Sequence, residues 1–460
     1  MRHNVIIQTK WQQKLIKMSK FVVYKEYNTL MPIRFIDFFA GAGGLSEGFI
    51  KAGYVPVAHV EMKKDACNTL KTRAAYHYLR EHNQLDIYEN YLRNKREGTD
   101  GSELWRQVPA DVTNRVIQAT IGDKTMKSIK EQLDRLAGGQ PVDIIIGGPP
   151  CQAYSIAGRA RLGESVKEDP RNYLYKYYLR FIRHFKPKMF VFENVVGIKT
   201  AKTSDDIKPF EDLRRLAWRF GYDIGFSEQV ASDFEVLQHR HRMIIVGWRR
   251  LDTNRQPTGF HYPDLQKIPN PYHTRDSIFA DLPERVSNDG RLCELVHYTK
   301  PLEEMQYLRE TGIRGTFDFT TQHITRKQNA SDREVYCLAI QALQRGIRLN
   351  YNQLPDRLKT HKNRKSFLNR FFVVNPDDCC HTVVAHIAMD GHYYIFPNEH
   401  PTIENSRSIS VREAARLQSF PDDYFFEGSR TSVFMQIGNA VPVMMAYHIA
   451  LALLPQLQDE

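Results

Sequence analysis

Cysteine is scarce in this sequence, and no cysteine lies in a recognisable metal or disulfide pattern. The 460 residues contain six cysteines, which are Cys67, Cys151, Cys293, Cys337, Cys379 and Cys380. None forms C-x-x-C or pairs with a histidine at zinc-finger spacing. The adjacent Cys379 and Cys380 could form a redox or metal element. We instead expect reduced thiols and no metal, because a disulfide framework is unusual in a long chain without an export signal.

Long apolar runs are missing as well. No stretch approaches the roughly 20 apolar residues that a membrane-spanning helix requires. Polar residues interrupt the basic N-terminus before the apolar core of a secretory signal forms. We therefore expect a soluble, intracellular protein without a membrane partner.

Positive charge exceeds negative charge. The chain has 64 Lys and Arg against 53 Asp and Glu, which gives a net charge of +11. Such an excess favours a polyanion such as nucleic acid as partner, because bound cations release counterions from the phosphates. The charge alone fits a merely basic enzyme equally well.

Strand-like apolar runs alternate with helix-like segments in the first half of the chain. This alternation predicts an α/β fold with a mostly parallel, doubly wound sheet. The predicted strands are 33–39, 55–60, 142–146, 189–192 and 243–246, and the predicted helices are 45–52, 66–79, 172–185 and 210–220. The densely charged segment 80–108 interrupts the alternation, and we expect it at the surface.

The length of the chain suggests two or three domains. We divide it into a basic N-terminal extension (1–32), a first domain (33–250), a smaller loop-rich domain (251–406) and a C-terminal segment (407–460) that returns to the first domain. The C-terminal segment contains two predicted helices, 410–417 and 441–454. The extension could be a basic arm on DNA, a disordered leader, or an over-long start with Met18 or Met31 as the true beginning.

A glycine-rich turn, FIDFFAGAGG at 35–44, follows the first predicted strand. Its glycines permit tight backbone turns and let N–H groups approach a ligand. The dinucleotide fingerprint is incomplete, because Ser46 replaces its last glycine. Glu61 ends the next strand, where a carboxylate can accept ribose hydroxyl groups, and Asp111 could reach the base. These features predict a nucleoside cofactor without identifying it.

A second loop presents one cysteine. Strand 142–146 ends at two glycines, and Pro149 and Pro150 then restrict the backbone before Cys151. A polar, basic loop follows at 159–169, and its cations favour a thiolate. Free cysteines are more often small buried apolar residues. The position of Cys151 favours a nucleophile instead.

The segment Pro149-Pro150-Cys151-Gln152, placed after the glycine-rich turn, resembles the nucleophile motif of the cytosine-5 DNA methyltransferase family. Further segments follow in the order of that family, and they are FENV (192–195), QHRHR (238–242), REAARLQSFP (412–421) and QIGNAVP (436–442). The resemblance spans about 33–446 and is poor in 80–108 and in much of 251–407. It implies the S-adenosylmethionine-dependent methyltransferase fold, with a target-recognition domain at 251–406.

The resemblance also implies roles for individual residues. Catalysis is assigned to Cys151, which adds to carbon 6 of cytosine, to Glu193, which acts at N3, and to Arg240 and Arg242 at the cytosine oxygen. The residues implied for S-adenosylmethionine are Phe39, Gly41, Gly43, Glu61, Asp111, Leu174, Asn439 and Val441. Those implied for DNA are Ser155, Arg159, Arg171 and Thr382. Met62 stands where the family commonly has an aromatic residue, so the contact with adenine differs.

We therefore expect a DNA (cytosine-5-)-methyltransferase that flips its target base out of double-stranded DNA. The resemblance implies a bacterial restriction–modification setting, with a cognate restriction endonuclease as genetic partner, and a monomer in the cytoplasm at the nucleoid. A methyltransferase acting on RNA is the main alternative, because a branch of the family shares this core; the basic region between the QHRHR and REAARLQSFP motifs favours duplex DNA. An inactive DNA-binding regulator and a thiol hydrolase are further alternatives.

Overall fold

A sheet of seven strands organises the fold. The computed structural model describes residues 32–150, 169–203, 206–250, 262–361, 364–365 and 367–458. The strands, in chain order, are β1 (Arg34–Phe38), β2 (Val55–Glu61), β3 (Val116–Gln118), β4 (Ile144–Gly147), β5 (Met189–Asn194), β6 (Tyr222–Val230), β7 (Gln238–His239), β8 (His241–Arg249), β9 (Val296–His297), β10 (Phe319–Thr320) and β11 (Cys380–His381). The large sheet uses β1 to β6 and β8.

The large sheet has the strand order β3-β2-β1-β4-β5-β8-β6. All neighbours are parallel except β8, which is antiparallel to both β5 and β6. Parallel strands covered on both faces read as continuous apolar runs, and all four residues of β4 are buried. The predicted α/β fold with a mostly parallel sheet is confirmed.

Two strands of this sheet, β3 and β6, were not predicted from the sequence. β3 has only three residues, which is too short for a visible apolar run. β6 lies at the edge of the sheet, and most of its residues are partly exposed, so its sequence YDIGFSEQV is mixed in polarity. Both strands depend on pairing with a neighbour rather than on local pattern.

Helices cover both faces of the sheet. The helices of the described residues are Gly44–Lys51, Lys64–Glu81, Leu85–Asn94, Ser102–Trp105, Ala110–Asn114, Asp123–Ala137, Leu174–Phe185, Pro209–Arg219, Gln306–Thr311, Ala330–Gln344, Val411–Leu417, Arg430–Asn439 and Val443–Gln458. Alternate residues of β5 divide between two cores, with Phe190 and Phe192 in one and Met189 and Val191 in the other.

The last helix, Val443–Gln458, packs on the sheet beside the first helix, Gly44–Lys51. Gly48 permits the contact, because a Cβ there would lie 2.4 Å from the Cβ of Ala446. The end of the chain therefore completes the core that the first strand begins.

Arg430–Gln458 has the length and composition of a membrane-crossing helix, and its most apolar 18-residue window has a mean hydropathy of 1.7. The stretch forms two helices, Arg430–Asn439 and Val443–Gln458, and 67% of its most apolar window is buried inside the protein. Polar residues interrupt it, which is why a search for uninterrupted apolar runs does not single it out. A core helix of a folded domain accounts for both its composition and its burial.

The charged segment 80–108 was predicted to lie at the surface. This prediction is wrong for its apolar residues, which are buried. Helix Leu85–Asn94 buries Tyr88 and Leu92, while Glu89 and Arg93 pair on the outside. Lys95 Nζ lies 2.9 Å from the Glu427 carboxylate, and both side chains are almost inaccessible to solvent. The segment contains an amphipathic helix that packs against the C-terminal segment. Its many charged residues make this helix hard to identify from the sequence.

The region after β8 is poor in regular structure, but it contains one long helix, Ala330–Gln344, that the sequence analysis did not identify. The Asn329 side chain accepts a hydrogen bond from the Asp332 N–H and caps this helix. Among the described residues of this region, β9 pairs with β10, and β11 pairs with β7. The second pairing brings this region next to the QHRHR motif.

The REAARLQSFP motif forms the helix Val411–Leu417 and joins the regions of the chain. Ser410 and Glu413 form a capping box at its start. Arg416 is fully buried, and its guanidinium lies 2.6 Å from Asp281 and 2.7 Å from Asp422. This motif has a structural role, because paired buried charges hold the loop-rich region against the core.

Candidate active site

The glycine-rich turn adopts the conformation that its sequence predicts. Phe39, Gly41 and Gly43 all have left-handed backbone angles, with φ of 58°, 55° and 83°. A Cβ added at Gly41 would meet no atom within 4 Å. The backbone at Gly41 therefore faces open space at the carboxyl end of β1, where a ligand can approach closely.

Glu61 ends β2 beside this turn. Its Oε2 accepts a hydrogen bond from the Gly41 N–H at 2.9 Å, and its Oε1 accepts one from the Lys63 N–H at 2.8 Å. These two donors fix the orientation of the carboxylate at the carboxyl edge of the sheet. The side chain of Met62 is 48% exposed next to it and offers an apolar surface.

The C-terminal segment of the chain borders the same turn at Val441. A Cβ at Gly44 would lie 2.2 Å from the Val441 carbonyl oxygen, so only glycine allows this approach. Asn439 is exposed at the end of the helix Arg430–Asn439. Leu174 is half-buried at the start of the helix Leu174–Phe185, which follows β4.

Asp111 is not among the residues that the structure brings to this edge. It lies on the helix Ala110–Asn114, before β3, and its side chain is 73% exposed beside Arg115. The carboxyl end of β3 is followed by Ala119 and Thr120, and the Ala119 N–H donates to the Glu61 carbonyl at 2.8 Å.

The predicted nucleophile Cys151, together with Ser155 and Arg159, lies outside the described residues. The approach to Cys151 is described up to Pro150, and it follows directly from β4. The Asn194 side chain is buried and donates a hydrogen bond from Nδ2 to the Pro149 carbonyl at 3.2 Å. The two prolines are therefore attached to the carboxyl end of β5.

Glu193 and Arg242 form an ion pair on the neighbouring strands β5 and β8. Arg242 Nε lies 2.7 Å from Glu193 Oε1, and the two side chains are only 11% and 12% exposed. A Cβ at Gly148 would lie 2.7 Å from Glu193 Oε2. A side chain at this position would therefore displace the carboxylate from the segment that leads to Cys151.

Arg240 differs from Arg242 in its surroundings. Its side chain is almost completely buried, and its Nη1 donates to the Val383 carbonyl at 2.7 Å. Thr382, one residue earlier, is partly exposed and donates from Oγ1 to the His239 carbonyl at 2.7 Å. Arg240 thus fixes the backbone around Thr382 and does not itself face the solvent.

Several positioning residues were not among the predicted site residues. Gln238 accepts a hydrogen bond from the Val383 N–H at 2.8 Å. Gly438 packs against the backbone of Val384, since a Cβ there would lie 2.4 Å from its carbonyl carbon. The signal that could have identified these residues is their place inside the QHRHR and QIGNAVP motifs.

Arg171 lies close to the start of the described range 169–203 and forms an ion pair with Asp169. Its Nε donates to Asp169 Oδ1 at 2.8 Å, and hydrogen bonds from Arg171 lower the pKa of Asp169. The pair is about one-third exposed on the arginine side. A phosphate group would have to compete with Asp169 for this guanidinium.

Comparison with known families gives a match over most of the chain. Residues 33–96 and 111–454 match the model of the family described as C-5 cytosine-specific DNA methylase. The gap between the two matched parts falls at the end of the segment 80–108 and next to Asp111.

Characterised relatives match over nearly their whole length. The type II methyltransferase M.Bpa9945I of Bacillus paralicheniformis is 41% identical over 91% of this chain and 97% of its own. M.XorII of Xanthomonas oryzae pv. oryzae is 30% identical over 89% of this chain and 82% of its own. M1.HphI of Haemophilus parahaemolyticus is 27% identical over 96% of this chain and 91% of its own.

Among solved structures, a prophage-encoded protein of E. coli described as a DNA modification methyltransferase shares the fold. Its TM-score is 0.53 at 21% identity, and the match covers 93% of this chain and all of the other. This similarity supports the fold of the chain and no finer property.

Proposed function

This chain belongs to the C-5 cytosine-specific DNA methylase family and is a DNA (cytosine-5-)-methyltransferase; from that premise we propose how its residues perform the reaction. The Cys151 thiolate adds to carbon 6 of a cytosine in double-stranded DNA. Carbon 5 then accepts a methyl group from S-adenosylmethionine. The single observation that carries the proposal is the Glu193–Arg242 pair, which lies against Gly148 in the segment that leads to Cys151.

The residues at the carboxyl edge of β1 and β2 fit S-adenosylmethionine. The oriented carboxylate of Glu61 suits ribose hydroxyl groups, and the open space at Gly41 admits a ligand close to the backbone. We assign Phe39, Gly43, Leu174, Asn439 and Val441 to the remainder of the pocket. When bound, the cofactor supplies an electrophilic methyl group. We assign the base contact to Met62 and to the segment after β3 in place of Asp111.

Addition of the thiolate breaks the aromaticity of the cytosine ring and makes carbon 5 nucleophilic. Glu193 donates a proton or a hydrogen bond at N3 as negative charge develops on the ring. Arg242 holds Glu193 in place and donates to the cytosine oxygen. After methylation, carbon 5 loses its proton to water, the bond between carbon 6 and sulfur breaks, and the thiolate of Cys151 is restored. A proton given to N3 returns to Glu193 in the same step.

The target base must leave the duplex to reach Cys151, since its carbon 6 is enclosed in the stack. We propose that Thr382 contacts the backbone of the flipped nucleotide. Arg240 donates to the carbonyl of the next residue, Val383, and the Thr382 hydroxyl donates to the His239 carbonyl. Arg171, Ser155 and Arg159 contact phosphates near the thiol. These contacts position the DNA and carry no sequence information by themselves.

Covalent trapping tests the mechanism directly. Duplex DNA with 5-fluorocytosine at the target cannot lose a proton from carbon 5, so the enzyme should stay attached to it. We expect an adduct that depends on S-adenosylmethionine and is absent in Cys151→Ser. The absence of an adduct in the native enzyme, or its persistence in Cys151→Ser, would overturn the proposal.

Labelled S-adenosylmethionine offered with duplex DNA or with transfer RNA tests the substrate. We expect label in DNA, and label in RNA alone would favour the RNA branch of the family.

The type II relatives support a role as the protective enzyme of a restriction–modification system. We propose that a cognate endonuclease is encoded with it, and that it acts as a monomer on nucleoid DNA in the bacterial cytoplasm.

A further inference from the structure

Three side chains of different chemistry meet beside the QHRHR motif. His239 lies on β7, and Asp378 and Cys379 lie immediately before β11. Their donor atoms all lie within 4.8 Å of one another, and His239 Nε2 is 3.6 Å from Asp378 Oδ2. An imidazole, a carboxylate and a thiol are the three ligand types that zinc takes in proteins.

The backbone that carries these side chains is firmly held. β7 and β11 run parallel, with Cys380 opposite Gln238, and the Cys380 N–H donates to the Leu237 carbonyl at 2.9 Å. The Thr382 hydroxyl donates to the carbonyl of His239 at 2.7 Å. The pairing of β7 with β11 therefore brings the three residues together.

The carboxylate of Asp378 is oriented towards the imidazole. Its Oδ1 accepts a hydrogen bond from the Cys379 N–H at 2.6 Å, which leaves Oδ2 on the side of His239. Tetrahedral bonds of about 2.0–2.3 Å place neighbouring ligand atoms roughly 3.5 Å apart. The separation of 3.6 Å between His239 and Asp378 already meets this requirement.

We propose that His239 Nε2, the Asp378 carboxylate and the Cys379 sulfur bind a divalent transition-metal ion of the zinc class. The His239 and Asp378 side chains are 49% and 59% exposed, so water can occupy the fourth position. A mixed nitrogen, oxygen and sulfur set favours zinc over magnesium or calcium, which prefer oxygen alone.

Metal binding at this site includes a proton release. Binding forms the bond between sulfur and the metal, breaks the S–H bond and releases the proton to solvent. The ion would then join β7, which leads to Arg240 and Arg242, to the segment that leads to Thr382.

Cobalt titration of the full-length protein tests the site. A Cys151→Ala background removes the predicted nucleophile as a competing ligand. We expect one equivalent of Co²⁺ to give the ultraviolet absorption of a cobalt–thiolate bond, and Zn²⁺ to displace it. Asp378→Asn should weaken binding at least about tenfold, since even outer-shell changes cost that much. Cys379→Ser should abolish the absorption.

Cys293 offers a matched control, because it is partly buried, as Cys379 is, and it lies outside the cluster. Cys293→Ser should leave the cobalt signal unchanged. Alkylation of the folded protein, followed by peptide mass spectrometry, supplies a readout that needs no variant at the cluster. Zn²⁺ should slow the alkylation of Cys379 at least about tenfold and leave Cys293 unaffected.

The absence of a thiolate absorption, its survival in Cys379→Ser, or equal alkylation of Cys379 with and without Zn²⁺ would each overturn the metal site. These measurements do not depend on methyl transfer, so the proposed mechanism and the metal site fail or stand separately.

Discussion

Arg242 Nε lies 2.7 Å from Glu193 Oε1, and this contact joins two antiparallel strands at the carboxyl end of β5. Both side chains are nearly buried, so water competes weakly with the pair. The second oxygen of Glu193 faces Gly148. The carboxylate is thus fixed on one side by a guanidinium and on the other by the backbone that leads to Cys151.

Glu193→Gln should keep the shape of this site and remove the acid. Because a positioned general acid contributes about 10²- to 10⁴-fold, we expect the rate of methyl transfer to fall within that range. The rate is measured with labelled S-adenosylmethionine at saturating DNA. Glu228→Gln, which alters a carboxylate on β6 that is paired with exposed His241, is the matched control. A Glu193→Gln enzyme with the native rate would exclude Glu193 from the chemistry.

Gly148→Ala should damage the site without changing any polar group. The new Cβ would lie 2.7 Å from Glu193 Oε2, so either the carboxylate or the proline segment must move. We expect at least about a 10²-fold loss of rate, because catalysis tolerates little misplacement of reacting groups. Single-turnover kinetics measure the effect. Gly122→Ala meets no atom within 4 Å and should retain the native rate.

Glu61→Gln should weaken cofactor binding more than DNA binding. A hydrogen bond to a charged group contributes about 1.5–3 kcal/mol, which corresponds to roughly 10- to 100-fold in affinity. Calorimetric titration with S-adenosylmethionine measures the loss directly. Glu89→Gln, which removes an exposed carboxylate paired with Arg93, should bind normally. If Glu61→Gln and the native protein bind S-adenosylmethionine with equal affinity, Glu61 does not contact the ribose.

His323 should make folding stability dependent on pH. Burial lowers its pKa to about 4, and its Nδ1 lies 2.8 Å from Ser410 Oγ, the cap of the helix Val411–Leu417. In the unfolded chain this histidine binds a proton below about pH 6.5, whereas in the folded protein it stays neutral down to about pH 4. Its contribution to stability is therefore present above pH 6.5 and is lost as the pH falls towards 4.

We expect this histidine to account for about 2 kcal/mol of the stability lost between pH 7 and pH 5. Urea unfolding at both pH values measures the loss, and His323→Gln should reduce it. His400→Gln, which replaces an exposed histidine, should behave as the native protein does. An unchanged pH dependence in His323→Gln would show that other groups govern acid unfolding.

Much of the site is encoded in short segments of sequence. The left-handed angles of Gly41 and Gly43 follow from glycine placed between a strand and a helix, and Glu61 follows from its place at the end of an apolar run. Such features depend on neighbours a few residues away. The position of Asp111 relative to the sheet cannot be predicted in this way. The helix Leu85–Asn94 before it packs against the distant C-terminal segment, and neighbouring residues do not specify that packing.

The sequence by itself determined the parallel sheet, the order of the motifs and the residue types that can carry the reaction, because apolar periodicity and local turns act over short stretches of chain. Only the tertiary structure decided that Arg242 reaches Glu193, that Arg240 is buried behind Thr382, and that His239 meets Asp378 and Cys379. Each of those contacts joins distant segments, and their distances are set by strand pairing and packing that no local pattern specifies.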